Sequence, residues 1–232
     1  MNKKDLTVNQ SKQTLSGEPI TFLPQHGHYR YLRVYQITEM IYDITFYFTK
    51  RYLKRGDRTI DQMVQAARSG KQNIAEGNQA AATSSSTEIF LTNVAKASLE
   101  ELLVDYEDYL RVRHLEQWGK LHPRYEKMRQ YARSAKIFNE YPEVIQKMRD
   151  EEIANLCITL IHQATYMLHK LLITMQNRFV TEGGIKERMY QSRVNYRNGL
   201  KCQHNYRLCP PSKKKCNFAP LFLERFVVLI KK

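Results

Sequence analysis

One segment near the end of the chain limits the possible folds more than any other. Its apolar residues recur at alternating steps of four and three between residues 153 and 179, which places them on one face of a long α-helix. They are Ile153, Cys157, Leu160, Ala164, Leu168, Leu171, Met175 and Phe179. Gly183 and Gly184 follow and are predicted to end the helix. A helix with one apolar stripe must pack against other helices, so the chain is predicted to be all-α.

Three further helices are predicted before it. The first runs from about residue 28 to 54, with Ile37, Ile41, Ile44, Phe48 and Tyr52 on one face, and stops at Gly56. The second starts with Thr59 as N-cap, and its small residues, including Gly70, predict a close helix contact. Gly77 is predicted to end it in the left-handed conformation.

The third helix is predicted to begin at a capping box formed by Ser85 and Glu88. Its apolar stripe is wide enough for more than one neighbour, which favours self-association. The stripe consists of Leu91, Ala95, Ser98, Leu99, Leu102, Leu103, Tyr106, Tyr109 and Leu110.

The polar stretch between the third helix and the last one is predicted to be an inserted helical segment at about residues 119–150. Pro142 suits the first turn of a helix within it. The predicted architecture is therefore an up-down-up-down four-helix bundle with this insertion and a basic C-terminal extension. Residues 1–26 form a flexible lead-in, 27–183 the bundle, and 184–232 the extension.

The charge is unevenly distributed. The chain has 37 Lys and Arg against 23 Asp and Glu, a net charge of +14. Residues 176–232 alone carry thirteen basic and three acidic side chains, while the centre is nearly neutral. Basic ends favour a polyanion partner such as RNA or DNA, because each phosphate contact releases counterions. A solvated surface with a disordered basic tail is the alternative.

Several function classes have no support in the sequence. No nucleotide-binding or nucleophile motif is present, the acidic residues of the third helix have the spacing of a solvated face, and no cofactor is expected. The chain shows neither a secretory signal nor 20 uncharged apolar residues in a row, so a cytoplasmic protein with reduced thiols and no membrane contact is predicted. Cys202, His204, Cys209 and Cys216 lack the paired spacing of a zinc site, so free thiols are favoured over metal binding.

A specific combination of motifs points to a family. It comprises Tyr31, Leu32, Val34 and Tyr35, then Gln65, Ala66, Ala67 and Arg68, then Asn73, Ile74, Ala75, Glu76 and Gly77, then Phe90, Leu91 and Ala95, and finally Ser98, Leu99, Glu100 and Glu101. With these the chain resembles the bacterial 23S rRNA intervening sequence proteins, which are similar to accessory variability proteins of diversity-generating retroelements. Residues 22–28 and 91–118 resemble the subgroup called four helix bundle suffix domain proteins. The resemblance implies a homopentamer of four-helix bundles without a catalytic centre and with a basic surface that binds nucleic acid.

The predicted topology also predicts a site. In an up-down bundle, the start of the first helix, the turn between the second and third, and the end of the last meet at one end, here called the first pole. The nucleic-acid-binding residues expected there are Arg30, Arg33, Lys71, Arg178, Lys186 and Arg188, followed by Arg193 and Arg197, which interleave with Tyr190 and Tyr196. Lys50, Arg51, Lys54 and Arg55 charge the opposite, second pole. A structural turn is favoured over a ligand site for Asn73, Glu76 and Gly77.

The predicted function is thus a non-enzymatic, oligomeric bundle that binds nucleic acid mostly through phosphates, with low sequence specificity. The alternative is a protein-interaction scaffold, or an accessory factor that docks a protein such as a reverse transcriptase.

Overall fold

The computed structural model describes residues 28–206, with side chains described up to residue 198. These residues are all-α, as predicted, and no strand occurs among them. The helices are α1 (Arg33–Tyr52), α2 (Arg58–Ala80), α3 (Ser85–Val112), α4 (Tyr125–Arg133), α5 (Ile137–Val144), α6 (Asp150–Glu182) and α7 (Ile185–Tyr206), with short 3-10 turns at Tyr29–Tyr31 and Ile145–Lys147. The predicted lead-in at residues 1–26 lies outside the described residues.

The N-caps of α2 and α3 each lie before the predicted residue. The Asp57 side chain accepts a hydrogen bond from the Thr59 backbone N–H at 2.9 Å, so Asp57 is the cap and Thr59 belongs to the first turn. Ser84 accepts from the Thr87 N–H at 3.2 Å and caps α3, while Ser85 lies inside the helix and is buried. Both predictions were wrong by one or two residues, since the neighbouring polar side chain reaches the free N–H groups.

The prediction that Gly77 ends α2 was also wrong. The helix continues to Ala80, and the described glycines with positive φ are Gly56 and Gly183. Gly77 is buried, and a Cβ there would lie 3.4 Å from both the Glu88 carbonyl oxygen and the Leu91 Cβ. This glycine therefore lies inside α2 against α3, at a distance that a Cβ would also tolerate, instead of reversing the chain.

Close packing at Gly70 is confirmed. A Cβ at this position would lie 2.8 Å from the Leu99 Cδ2, and Leu99 is fully buried. The residues just before these two, Ser69 and Ser98, have their hydroxyls 2.8 Å apart. Small residues thus bring the backbones of α2 and α3 together at this level.

Four long helices share one core. Helices α1 and α3 each pack against both α2 and α6. The predicted seam of α6 is buried through Ile153, Cys157, Leu160, Ala164 and Leu168. The wide stripe of α3 is largely covered by the same chain, which leaves little of it to explain self-association; its buried members are Ala95, Leu99, Leu102, Leu103, Tyr106, Tyr109 and Leu110.

The inserted segment is held at several points. Near its start the Trp118 N–H donates to the Asn155 Oδ1 at 2.7 Å. Helix α4 packs on α6, and α5 is tied to α1 by the Tyr141 hydroxyl, which donates to the Asp43 carboxylate at 2.7 Å. Pro142 lies near the end of α5, not in its first turn as predicted, because the helix already begins at the fully buried Ile137.

The chain divides into two compact units, and the boundary between Tyr190 and Gln191 falls within α7. Gly183 ends α6 with a φ of +71°, as predicted, but the first unit extends seven residues beyond this glycine.

By length and composition, the segment Asp150–Asn198 could cross a membrane, since one 18-residue window has a mean hydropathy of 1.2. Half of that window is buried inside the protein, and a core helix passes the same test.

Candidate nucleic-acid interface

Two of the predicted basic residues near the first pole have partners inside the protein. The Arg178 Nη2 donates to the Glu88 Oε2 at 2.5 Å, and the Glu88 side chain is only 6% exposed. Arg33 places its guanidinium 4.3 Å from the centre of the Phe138 ring and donates to the Arg133 carbonyl oxygen at 3.4 Å. Arg178 thus joins the ends of α3 and α6, and Arg33 holds the insertion against α1.

Lys71 does not lie at the first pole. It precedes the last residue of α2 by nine positions, which corresponds to about 14 Å along the helix. Its Nζ lies 4.3 Å from the centre of the Tyr42 ring. The Tyr42 ring stacks on the Phe46 ring, and the Lys50 Nζ lies 3.9 Å from the centre of the Phe46 ring. Lys71 and Lys50, predicted for opposite ends, therefore flank one pair of rings between α1 and α2.

The remaining predicted cations differ in exposure. Arg30 and Lys186 are exposed, whereas Arg188 is half-buried, and its Nε has no hydrogen-bond partner among the described residues. Arg193 and Arg197 are exposed but belong to the second unit.

The family motif residues have structural contacts. The Asn73 Nδ2 donates to the Ser69 carbonyl oxygen at 2.9 Å and to the Ser69 hydroxyl at 3.0 Å. Because this hydroxyl also meets Ser98, Asn73 supports the contact between α2 and α3. Glu76 is exposed, and Gly77 is buried against α3.

Sequence reasoning missed a cleft between α6 and the insertion. Its volume is about 870 Å³, within the range of about 300 to 1,000 Å³ that is usual for ligand pockets. Its lining contains cations, rings and amides but no carboxylate side chain: Gln117, Trp118, Gly119, Lys120, Tyr125, Arg129, Arg133, Asn155, Ile158, Thr159, His162, Gln163 and Tyr166. We call this space the α4–α6 cleft. The step of four between Arg129 and Arg133 was visible in the sequence, but their position opposite α6 was not.

Hydrogen bonds fix the floor of the α4–α6 cleft. The Asn155 Nδ2 donates to the backbone carbonyl oxygens of Glu116 and Glu151, both at 2.9 Å, while its Oδ1 accepts from Trp118. The Trp118 indole N–H donates to the Glu151 carboxylate at 2.9 Å, and its ring stacks on His122 with centroids 4.7 Å apart. The shape of this end of the cleft is therefore set before any ligand binds.

The outer face of α3 has the opposite charge. Burial, and then repulsion from Glu101 and Asp108, raises the pKa of Asp105 to about 6. The Asp105 Oδ2 is buried without a hydrogen-bond partner among the described residues. This surface therefore repels phosphate, in contrast to the α4–α6 cleft.

Two kinds of reactive site, an ionised thiol and a metal cluster, do not occur among the described residues. Burial raises the pKa of the Cys157 thiol to about 12, so this side chain is not a nucleophile near neutral pH. No group of three or more His, Cys, Asp or Glu able to hold a metal occurs in the part of the chain that the structure describes. The four residues weighed as zinc ligands lie beyond the described side chains.

No protein-family model matches the chain, and no curated protein or solved structure matches it either. The resemblance to the 23S rRNA intervening sequence proteins stays a prediction.

Proposed function

We propose that this protein is a non-enzymatic nucleic-acid-binding protein that contacts mainly phosphates and has low sequence specificity. In this proposal, α1, α2, α3 and α6 form an up-down-up-down four-helix bundle that carries the binding surface. The observation that carries the proposal is the α4–α6 cleft, where Lys120, Arg129 and Arg133 line a space without any carboxylate.

The electrostatics of this lining favour a polyanion. Arg129 and Arg133 are one helical turn apart and lie on the same side of α4. Arg129 is paired with Glu126 at 3.5 Å, but both side chains are well exposed, so solvent weakens this pair. The net charge of +14 adds a long-range attraction for phosphate. Exposed cations elsewhere, such as Lys186, add to it without requiring a base-specific site.

A salt series tests the proposal. The logarithm of the affinity for RNA or DNA should fall linearly with the logarithm of the salt concentration. Replacing Lys120, Arg129 and Arg133 together with Gln should lower the slope by up to about three, since each lost phosphate contact contributes about 0.9. Sequence preference should change little.

The matched control removes the same charge from the same insertion. Lys127, Lys136 and Lys147 are exposed and do not line the cleft. Their replacement with Gln should lower the slope by less than one. Equal effects of the two triple variants would refute the cleft as the binding surface, and absence of binding by the intact protein at low salt would refute the function.

Self-association is part of the same proposal, with a homopentamer as the expected form. It is supported by the resemblance alone, because most of the α3 stripe is covered within one chain. Light scattering at micromolar concentration should give a mass near five times 27.5 kDa. A monomeric mass in physiological salt would remove the oligomer and leave the nucleic-acid proposal intact. Docking of a protein such as a reverse transcriptase becomes the favoured function if nucleic acid does not bind.

A further inference from the structure

The α4–α6 cleft contains a tyrosine ring that is open to solvent, beside the exposed imidazole of His162. Tyr166 lies on α6, lines the cleft and is 62% exposed. The two other large rings of the lining are less available, since Tyr125 is half-buried and Trp118 is buried with His122 stacked on it. An exposed ring beside cations provides a surface on which a nucleobase can stack, which contributes about 1 to 3 kcal/mol per base.

A second observation comes from α6 one turn before this ring. Gln163 lines the cleft, and its Oε1 is buried without a hydrogen-bond partner among the described residues. A buried acceptor without a donor is unfavourable by about 1 to 3 kcal/mol, so rotation of the Gln163 side chain toward a ligand that supplies a donor is favoured. Each of the four RNA bases carries at least one N–H on its pairing edge, and these groups are free only in an unpaired base. This acceptor suits any unpaired base and selects none.

The cations occupy the other wall. Arg129 and Arg133 project from α4, across the cleft from α6, and Lys120 lies in the loop before α4. Guanidinium groups bind phosphate through two parallel N–H bonds. The cleft therefore offers a ring and an acceptor on α6, and phosphate-binding groups on α4 and in the loop before it.

We infer that the α4–α6 cleft holds one unpaired nucleotide, with its base against Tyr166 and Gln163 and its phosphate at Arg129 and Arg133. The inference rests on the proposed function and deepens it, because it requires single-stranded nucleic acid. A base in a duplex is stacked on its neighbours and has its pairing edge occupied, so it does not enter. A free mononucleotide carries the same base and phosphate as a nucleotide within a strand. The experiments below therefore test mononucleotides and strands separately.

The first measurement uses the chain's single tryptophan, which lines the cleft. Adding AMP or UMP to the intact protein should change the Trp118 fluorescence and reach saturation. Ribose 5-phosphate, which has the phosphate but no base, should bind at least tenfold more weakly.

The second measurement compares an eight-nucleotide single-stranded RNA with the corresponding duplex. Replacing Tyr166 with Ala should weaken binding of the single strand by about 5- to 150-fold, the factor that corresponds to one lost stack. Duplex binding should change by less than twofold. Tyr166→Phe keeps the ring and should restore single-strand affinity to within about twofold.

Phe90 provides the matched control. It is as exposed as Tyr166 but lies near the start of α3, outside the cleft. Phe90→Ala should leave single-strand affinity unchanged. Because both side chains are mostly in solvent, neither truncation removes a core residue, and the far-ultraviolet circular dichroism should be unaffected.

The outcomes separate this inference from the proposed function. If Tyr166→Ala binds the single strand as tightly as the parent while binding still depends on salt, the nucleotide cleft is refuted and the function stands. If AMP and UMP bind but no strand does, the cleft is supported and the nucleic-acid function is refuted. If the protein binds neither nucleotides nor strands, both are refuted.

Discussion

Gly70 allows the packing of α2 on α3 to be tested with a single methyl group. In Gly70→Ala, the new Cβ would lie 2.8 and 2.9 Å from the Leu99 Cδ2 and Cγ, against about 3.5 to 4.0 Å for a normal carbon contact. Leu99 is fully buried and has no solvent to move into. Overpacking of this kind destabilises by about 1 to 3 kcal/mol. Ala is about 1 kcal/mol better than Gly inside a helix, so the net expectation is a loss of about 0 to 2 kcal/mol.

Gly77 in the same helix is the matched control. A Cβ added at Gly77 would meet its nearest neighbours at 3.4 Å or more, so nothing around it has to move. Gly77→Ala should therefore stabilise the protein by about 0.5 to 1 kcal/mol through helix propensity. Urea denaturation followed by circular dichroism gives both values.

A double-mutant cycle isolates the clash. Leu99→Ala removes both atoms that the new Cβ would meet and leaves the Ala95 carbonyl oxygen at 3.6 Å as the nearest contact. In that background, Gly70→Ala should become stabilising by about 1 kcal/mol, which gives a coupling energy of about 1 to 3 kcal/mol. If Gly70→Ala already stabilises the parent as much as Gly77→Ala does, the close helix contact does not exist.

Three further predictions address other parts of the core and its charges. Truncating Leu160 or Leu168 to Ala should lower the free energy of unfolding by about 2 to 5 kcal/mol, measured in urea, because both are fully buried. The raised pKa of Asp105 means that the folded state holds this proton up to about pH 6, whereas the unfolded chain releases it near pH 3.8. The free energy of unfolding should therefore decrease as the pH rises from about 4 to 6. Asp105→Asn should flatten that part of the profile and, after discounting for solvent screening, stabilise the protein by about 1 kcal/mol at pH 7. Arg178→Gln should lower the free energy of unfolding by about 1 to 3 kcal/mol, because it removes the charged donor from Glu88, and thermal denaturation that is unchanged in this variant would contradict the assigned ion pair.

The periodicity of apolar residues predicted the long helices well, because a helix with one buried face needs apolar residues at this spacing. The apolar steps from Ile153 to Leu168 could point inward only if the segment was a helix, and these residues are buried. The ends were harder to predict, because Ser84 and Ser85 differ in local geometry and not in residue type. Gly77 was misassigned for a related reason: a glycine in a left-handed turn and a glycine inside a helix look identical in a sequence.

The candidate site depended on long-range contacts that one sequence does not display. Arg178 and Lys71 were predicted as phosphate ligands from their charge, yet a buried carboxylate engages one and a ring engages the other. The α4–α6 cleft is formed by residues of the insertion and of α6, so predicting it would have required knowing where the insertion packs. Nothing in the local pattern around Arg129 indicates that Tyr166 lies on the opposite wall.

The ties that hold the insertion have a consequence for the order of folding. Arg33 and Arg133 are 100 residues apart in the chain, and Asp43 and Tyr141 are 98 apart, whereas the contact between α2 and α3 at Ser69 joins residues 29 apart. Closing either long loop is about 1 kcal/mol less favourable in chain entropy than closing the shorter one, whereas the ties of the insertion to α6, such as Trp118 to Asn155, join residues only 37 apart.

Burial of apolar side chains on α4 offsets little of this entropy difference, since only Met128 and Ala132 are buried among its nine residues. The α2–α3 hairpin should therefore form early, and the contacts of the insertion with α1 should form last and break first. Native-state hydrogen exchange should show amides of α4 exchanging faster than those of α3. If the nucleotide cleft proposed above exists, local opening of the wall that carries Arg129 and Arg133 gives a strand a way in without unfolding of the core.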